Sequence, residues 1–305
     1  MPQQSLVSVV LCTYNGASYL QEQLDSIFLQ TYQEIEVLVV DDASTDNTMD
    51  LLYHYQQKQP GMKIFLNDRN TGYNKNFEKG CGLASGEYIA IADQDDIWDH
   101  RKIALLVQAL EKSPQTILAH CNSATFETGK QPHFGSVRAK QIFNGNDVRK
   151  LFLYNQVSGH NMLFRKSLLG LALPFPDNIY YDWWLAVTAC CNGTIQGTDA
   201  ILVYQRKHAG NATGIEKKLP FFYQAVQQRL PIILTAPNLS AEAKLFGETL
   251  IEKFSLLNHQ EQSFRLFWLI VKHARTIFSF KRKMFPYFSY LKHAARISSA
   301  SCSTP

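Results

Sequence analysis

Over its first hundred residues the chain alternates continuous apolar runs with stretches whose apolar positions recur at helical spacing. Leu6 to Cys12 is apolar and β-branched and predicts a strand, ended by Thr13-Tyr14-Asn15-Gly16. Leu20, Leu24, Ile27 and Phe28 then fall on one helical face. Ile35 to Val40 predicts a second strand that ends in Asp41-Asp42-Ala43-Ser44-Thr45-Asp46. Met49, Leu52 and Tyr53 mark the next helix, which Pro60-Gly61 breaks. Lys63 to Leu66 reads as a third strand, Asn67 to Gly72 as a polar loop and Tyr73 to Leu83 as a helix. Glu87 to Ala92 is the fourth strand. It follows Ser85-Gly86 and runs straight into Asp93-Gln94-Asp95-Asp96-Ile97-Trp98.

Strands that are apolar throughout are buried on both faces, and their alternation with helices predicts an α/β fold on a Rossmann-like, mostly parallel sheet. Ligands of such sheets bind beyond the carboxyl ends of the strands. Thr13-Tyr14-Asn15, Asp41-Asp42, Asn70 and Asp93-Gln94-Asp95 all fall there, so separate loops converge on one rim and predict a nucleotide site. Taken singly, each is also an ordinary turn former. No GxGxxG follows the first strand and no GxxxxGK[ST] occurs, which excludes the two common phosphate loops. Three carboxylates at a strand end are costly unless neutralised, and a hard divalent cation carrying a phosphorylated ligand would do this. A helix starting near His100 and capped by Asp99 accounts for Asp99 and Asp96, but not for Asp93 and Asp95.

Beyond this point Ile103, Leu106, Val107 and Leu110 predict a helix, and Thr116 to Cys121 a strand. Residues 125 to 147 read as a polar excursion over the site, and Leu151 to Tyr154 fits a helix or a strand equally. Asn155 to Asn161 forms a bend that includes His160 and leads into the short strand Met162 to Arg165. In Tyr180-Tyr181-Asp182-Trp183-Trp184, Asp182 is either a helix N-cap or a base inside an aromatic, sugar-stacking wall, with partial burial raising its pKa. Ala200 to Tyr204 predicts a strand. Arg206, Lys207 and His208 follow it, either as a surface basic loop or as a diphosphate clamp with a metal-ligating histidine. From about Ile215 only helices are predicted: Phe221 to Leu230, Ser240 to Leu257 and Gln262 to Phe280.

Charge changes this picture at one end. From Arg265 onward there are eight Lys/Arg and no Asp/Glu, whereas the preceding 264 residues carry a balance of −4. That asymmetry argues against a nucleic-acid binder and for a local anionic partner of the tail. Phe264, Phe267 and Trp268 interleave with Lys272, Arg275 and Lys281-Arg282-Lys283, as in a helix lying at a membrane interface. The same face would serve packing or an oligomer contact equally well. No stretch reaches the length of a spanning helix and no signal peptide is apparent, so a cytoplasmic protein, peripheral on the inner membrane, is expected. Six cysteines without a CxxC pair indicate neither a disulfide framework nor structural zinc.

The segments Val9-Val10-Leu11-Cys12-Thr13-Tyr14-Asn15, Val39-Val40-Asp41-Asp42-Ala43-Ser44-Thr45-Asp46-Asn47-Thr48, Asn70-Thr71-Gly72 and Asp93-Gln94-Asp95-Asp96 occur in the order found in inverting glycosyltransferases of family 2. The chain resembles that family over roughly residues 5 to 215. The resemblance implies a GT-A fold with a catalytic domain at 1–215, divided into a nucleotide-binding half (1–98) and an acceptor-binding half (99–215), and a helical basic region at 216–305. It implies that Asp42 contacts the donor's base or ribose, and that Asp95 is the metal ligand of a DxD motif supported by Asp93. Asp182 would be the base, and His208 would touch the metal or diphosphate. The expected donor site comprises Thr13, Tyr14, Asn15, Asp42, Asn70, Asp93, Gln94 and Arg206, and the acceptor site Trp98, His160, Tyr181 and Trp183. The cofactor would be Mg²⁺ or Mn²⁺, which suit oxygen ligands.

Asp93 to Trp98, Tyr181 to Trp184 and Tyr204 to Asn211 are similar to bacterial rhamnosyltransferases of surface-polysaccharide assembly. That implies dTDP-L-rhamnose as donor and a saccharide or lipid-linked saccharide as acceptor, with UDP-glucose or UDP-galactose as the alternative donor. The QxxRW motif of processive synthases is absent, so one or a few sugars are expected per acceptor. A nucleotidyltransferase would carry a glycine-rich or lysine-containing phosphate loop where Thr13-Tyr14-Asn15-Gly16 stands. A non-catalytic carbohydrate-binding protein would be expected to lack Asp95 or Asp182.

Overall fold

The structure, a computed structural model, describes residues 4–127, 142–208, 219–255, 264–280 and 286–298. Its nucleotide-side half runs β1 (Val7–Thr13), α1 (Leu20–Phe28), β2 (Ile35–Asp41), α2 (Thr48–Lys58), β3 (Met62–Leu66), α3 (Tyr73–Leu83) and β4 (Tyr88–Ala92). Then come β5 (Ile97–Trp98), α4 (Lys102–Glu111), β6 (Thr116–Glu127), β7 (Met162–Arg165), α5 (Leu169–Ala172), α6 (Tyr181–Asn192) and β8 (Thr194–Lys207). Helices α7 (Leu219–Ile233), α8 (Ala241–Ser255), α9 (Phe264–Lys272), α10 (Ala274–Ile277) and α11 (Pro286–Ser298) complete the chain.

One sheet carries the strands in the order β3-β2-β1-β4-β7-β6-β8-β5. The first four are mutually parallel, β7 is antiparallel to both β4 and β6, and β8 returns parallel to β6. The period-two geometry of a strand sends alternate residues to opposite faces. Thus Val9, Val37, Val39 and Ala90 enter a core formed with α1, α2 and α4. Val10, Leu38, Ile89 and Ile91 enter the other core, with α3 and α6. Both faces are covered, which is why these strands are apolar on both faces, with Ser8 and Glu36 buried as a hydrogen-bonded pair between β1 and β2.

The helices beyond residue 215 extend the second of these cores. Leu230, Phe246, Leu250, Leu266, Ile270 and Ile277 share a cluster with Trp183 and Leu185. The ring of Phe246 stacks on Phe152 at 6.0 Å, and Tyr154 meets Phe278 at 6.2 Å.

Several expected elements differ from those observed. The segment around Leu151 to Tyr154 is neither helix nor strand: a 3-10 turn spans Val148–Leu151, and its apolar side chains plug the core. Thr116 to Cys121 and Ala200 to Tyr204 are parts of longer strands, because β6 and β8 pair through residues as polar as Asn122, Ser123, Gln196 and Thr198. Residues 125–127 belong to β6, and 128–141 of the expected excursion lie outside the described residues. The helix expected over Gln262 to Phe280 is two, α9 and α10, separated by His273, whose backbone (φ −103°, ψ 17°) leaves the helical region. Helix α11 was not expected. Its buried Tyr290, Ala294 and Ile297 recur at helical spacing, and Pro286 stands at its first position.

Candidate active site

The carboxyl end of β4 delivers Asp93, Asp95 and Asp96 to the rim, and each side chain takes a different environment. Asp93 is partly exposed. Its Oδ2 lies 3.3 Å from His160 Nδ1. Asp96 is buried, its Oδ1 accepting from the Arg206 amide, while its Oδ2 lies 3.9 Å from the same His160 nitrogen and accepts no hydrogen bond. Asp95 Oδ2 meets His208 Nε2 at 2.7 Å. Burial raises the Asp95 pKa and the neighbouring Asp93 adds to this, against the opposing pull of His208. Burial likewise pushes Asp96 up. Burial disfavours a charged His160, yet the Asp96 and Asp93 carboxylates prevail and hold its pKa above the usual imidazole value.

Asp182 enters from the opposite side, in the first turn of α6. Its Oδ2 accepts the Gly159 amide at 3.0 Å and its Oδ1 the Trp183 amide at 2.7 Å. Gly159 begins the 3-10 turn Gly159–Asn161, whose next residue is the His160 that faces Asp93. Two successive residues therefore join Asp182 to the acidic rim. Only glycine fits the first position: a Cβ there would lie 2.1 Å from the Tyr181 hydroxyl. Burial raises Asp182 to about 6, although both backbone hydrogen bonds favour its ionised form. The carboxylate is thus oriented by backbone amides and titrates near the working range of a general base.

The other rim loops are stitched together. Thr13 Oγ1 donates to Asp41 Oδ2 at 2.7 Å. The Asn15 amide donates to Ser44 Oγ, and its side-chain oxygen accepts from Thr45 N at 2.8 Å. Asp42 is buried and accepts from Asn67 Nδ2, the Thr71 amide and hydroxyl, and the Gly72 amide. Burial alone would raise its pKa, but these bonds lower it. Asn70 Oδ1 accepts the Gly72 amide at 3.1 Å, in the same loop. Tyr14 is exposed, and its amide donates to Gln94 Oε1 at 2.8 Å while Gln94 Nε2 donates back to Tyr14 O at 3.0 Å. The Gln94 amide is therefore a clasp between the first and fourth strand ends.

Two groups of expected binding residues stand elsewhere. Arg206 is buried: its Nε donates to Asp95 O at 3.1 Å, its terminal nitrogen lies 2.9 Å from Glu22, and Tyr19 and Phe126 flank the guanidinium. A diphosphate clamp needs an accessible fork; this one supports the acidic loop from behind. Trp98, expected at the acceptor, is 3% exposed and lies under the Lys102 ammonium, 3.2 Å from its ring centroid. Tyr181 and Trp183 are core residues as well, Tyr181 against Phe77 and Trp183 donating from Nε1 to Leu151 O. Their large apolar faces were drawn inward by the same force that makes aromatics attractive for sugar stacking. Beside them, Tyr73 is exposed and Tyr180 half-buried, their rings 5.9 Å apart.

Nothing in the sequence pattern pairs Asp96 with His160 or sets Lys102 apart. Asp93, Asp96 and His160 offer three ligand atoms within 4.8 Å of one another. The donor set, two carboxylates and an imidazole with one buried oxygen lacking a hydrogen bond, fits a Mg²⁺- or Mn²⁺-type ion.

Comparisons with known proteins bear on the fold and the family. The chain is 29% identical over 221 residues to an uncharacterised glycosyltransferase of Haemophilus influenzae, covering 68% of this chain and 67% of that one. It is 33% identical over 215 residues to an uncharacterised glycosyltransferase of Nostoc, covering 67% and 66%. The match spans only 59% of the length of a related Mycobacterium tuberculosis protein. Among solved structures, the S. aureus TarS fragment in complex with UDP-GlcNAc superposes with a TM-score of 0.64 at 19% identity, covering 89% of this chain and 81% of that one. The mannosyltransferase of Pyrobaculum calidifontis in complex with GDP-Man and Mn²⁺ gives 0.57 at 19% identity, covering 97% and 81%. These likenesses establish the fold. The model of glycosyl transferase family 2 matches residues 8–170, more than half of the chain, and the chain belongs to that family.

Proposed function

We propose that this protein is an inverting glycosyltransferase that moves one sugar, L-rhamnose from dTDP-L-rhamnose, to a saccharide acceptor of bacterial surface-polysaccharide assembly. The observation that carries the transfer reading is the placement of Asp182 opposite the acidic rim, joined to it through Gly159 and His160. Asp182 takes the proton of the acceptor hydroxyl as that oxygen attacks the anomeric carbon. The bond to the nucleoside diphosphate breaks, and inversion turns a β-linked donor into an α-rhamnoside. The cation would be held by Asp95 with Asp93, and by the Asp93, Asp96 and His160 atoms beside them. When bound, it neutralises the charge that develops on the leaving diphosphate. His208 and Arg206 position the Asp95 side chain and backbone.

The donor's base and ribose sit against the loops of Thr13, Tyr14, Asn15, Asp42 and Asn70. The binding of UDP-GlcNAc by TarS and of GDP-Man with Mn²⁺ by the mannosyltransferase supports a nucleotide-sugar donor and a divalent ion. The motifs Asp93 to Trp98 and Tyr204 to Asn211 favour rhamnose over UDP-glucose or UDP-galactose. A lipid-linked acceptor accords with the basic, aromatic tail, which would rest on an anionic cytoplasmic membrane face. Incubation with a panel of nucleotide sugars and Mn²⁺, with released nucleotide measured, tests the reading. Turnover of dTDP-L-rhamnose above the UDP-hexoses is expected. No turnover of any nucleotide sugar, with or without saccharide acceptors, would overturn it.

A further inference from the structure

Lys102 opens α4 and its side chain is wholly buried. Its Nζ donates to the His160 carbonyl at 2.6 Å and lies 3.2 Å from the Trp98 ring centroid. Burial lowers its pKa to about 7, which measures how unfavourable the site is for a charge. An apolar side chain of the same length would fill this space at lower cost, so packing does not account for a lysine here. What the lysine grips is the Gly159–Asn161 turn. The turn has further contacts: Gly159 N–H to Asp182 Oδ2 at 3.0 Å, His160 Nδ1 to Asp93 Oδ2 at 3.3 Å and to Asp96 Oδ2 at 3.9 Å, Asn161 Nδ2 to Ser123 Oγ at 3.4 Å, and Cys121 Sγ to Asn161 O at 3.5 Å. Lys102 thus holds a segment that touches Asp182 through the Gly159 amide and the acidic rim through the His160 ring.

We propose that Lys102 is a positioning residue for the transfer, fixing the Gly159–Asn161 turn so that the Gly159 amide aims the Asp182 carboxylate. This rests on the reading of Asp182 as the base. Small displacements of a positioned group cost up to about 100-fold in rate. With whichever nucleotide sugar the wild type turns over, Lys102→Met, which keeps the volume and removes the donor, is expected to lower kcat by about 10- to 100-fold and leave the donor KM within about twofold. Lys102→Gln, shorter but still a donor, is expected to fall between the two.

A second readout needs no turnover. Amide exchange at Gly159 is expected to accelerate in Lys102→Met by about tenfold or more while Val10 and Ile91 keep their protection. In the wild type at about pH 5, where the side chain is charged, the Lys102 ammonium is expected to give a slowly exchanging NMR resonance with contacts to the His160 backbone. Unchanged kcat in a folded variant, unchanged Gly159 exchange, equal acceleration at Val10 and Ile91, or absence of the ammonium resonance would each overturn the proposal. Should the wild type turn over no nucleotide sugar, the transferase reading fails, and the Gly159 and ammonium measurements still decide whether Lys102 holds the turn.

Discussion

At the scale of single residues the proposed chemistry rests on Asp182; the N-cap position falls to Tyr180, so its two readings are base and structural acceptor of backbone amides in the first turn of α6, and they separate by measurement. Asp182→Asn preserves size but keeps only one of the two backbone hydrogen bonds, since its Oδ1 can accept one amide while its Nδ2 cannot accept the other. As a base, its loss lowers kcat by roughly 10²–10⁴-fold. Calorimetric titration with donor should give an unchanged Kd, and an active variant would return Asp182 to a purely structural role. The pKa near 6 sets the pH dependence. The ionised form is the base, so wild-type kcat/KM falls as pH drops through about 6. Stability moves the other way: a carboxyl whose folded pKa exceeds its unfolded value favours folding below the unfolded value and loses that contribution as pH rises through the folded one. The Tm of Asp182→Asn relative to wild type should therefore climb between pH 4 and about 6 and level off above. The acidic cluster after β4 stood out as a candidate because three carboxylates at a strand end are costly unless neutralised, and Asp182 because it stands between two aromatic pairs. The fates of Trp98, Tyr181 and Trp183 were not, since a large ring suits a core and a sugar site equally and only the packed neighbours decide.

Among the elements, the loop leaving β4 holds most of the candidate ligands. Asp93 faces His160, while Asp95 is held by His208 and Asp96 is buried beside both. Asp95→Ala should lose about two orders of magnitude or more in transfer rate with the fold retained, and excess EDTA should abolish wild-type turnover. Asp93 adjoins both groups of candidate ligands, so Asp93→Asn should weaken Mn²⁺ binding, followed by electron paramagnetic resonance, by at least about tenfold. Full activity in EDTA would remove the cation from the mechanism. The strands and helices up to Ala92 lie within a residue or two of their expected bounds because buried parallel strands leave a largely apolar record. Strands β6 and β8 were shortened because partner pairing, bulged around Cys121 and Asn122, extends them through polar residues. Pairing of that kind is a tertiary fact that a local pattern does not contain.

For the whole molecule, the distribution of charge and exposed aromatics indicates where the enzyme works. The body is acidic and the final 41 residues carry only basic charges. Helix α9 packs through Leu266 and Ile270, yet Phe264 and Trp268 remain 70% and 63% exposed. Helix α11 packs against α9 and leaves Phe288 82% exposed. The core is thus satisfied by the aliphatic side, and the aromatic side is left with Arg265, Lys272 and Lys292 around it, all exposed. No helix among the described residues is long and apolar enough to cross a membrane. Shallow insertion of aromatic rings, aided by about 1 kcal/mol for each basic side chain near an anionic surface, accounts for such a face. The protein should sediment with phosphatidylglycerol-containing vesicles at low salt, release at about 0.5 M salt, where screening is nearly complete, and ignore neutral phosphatidylcholine vesicles. Trp268 is the one exposed tryptophan among the described residues, so its emission should shift to the blue on binding. Replacing Phe264, Trp268 and Phe288 with serine removes mainly exposed rings, at the cost of the Trp268 edge contact with Phe267, and should weaken vesicle binding at least about tenfold while leaving transfer to a water-soluble acceptor unchanged. Wild-type protein that stays in solution beside anionic vesicles at low salt, or a triple variant that binds as well as wild type, would instead assign this face to a protein contact, and the oligomeric state would then have to change with the same substitutions.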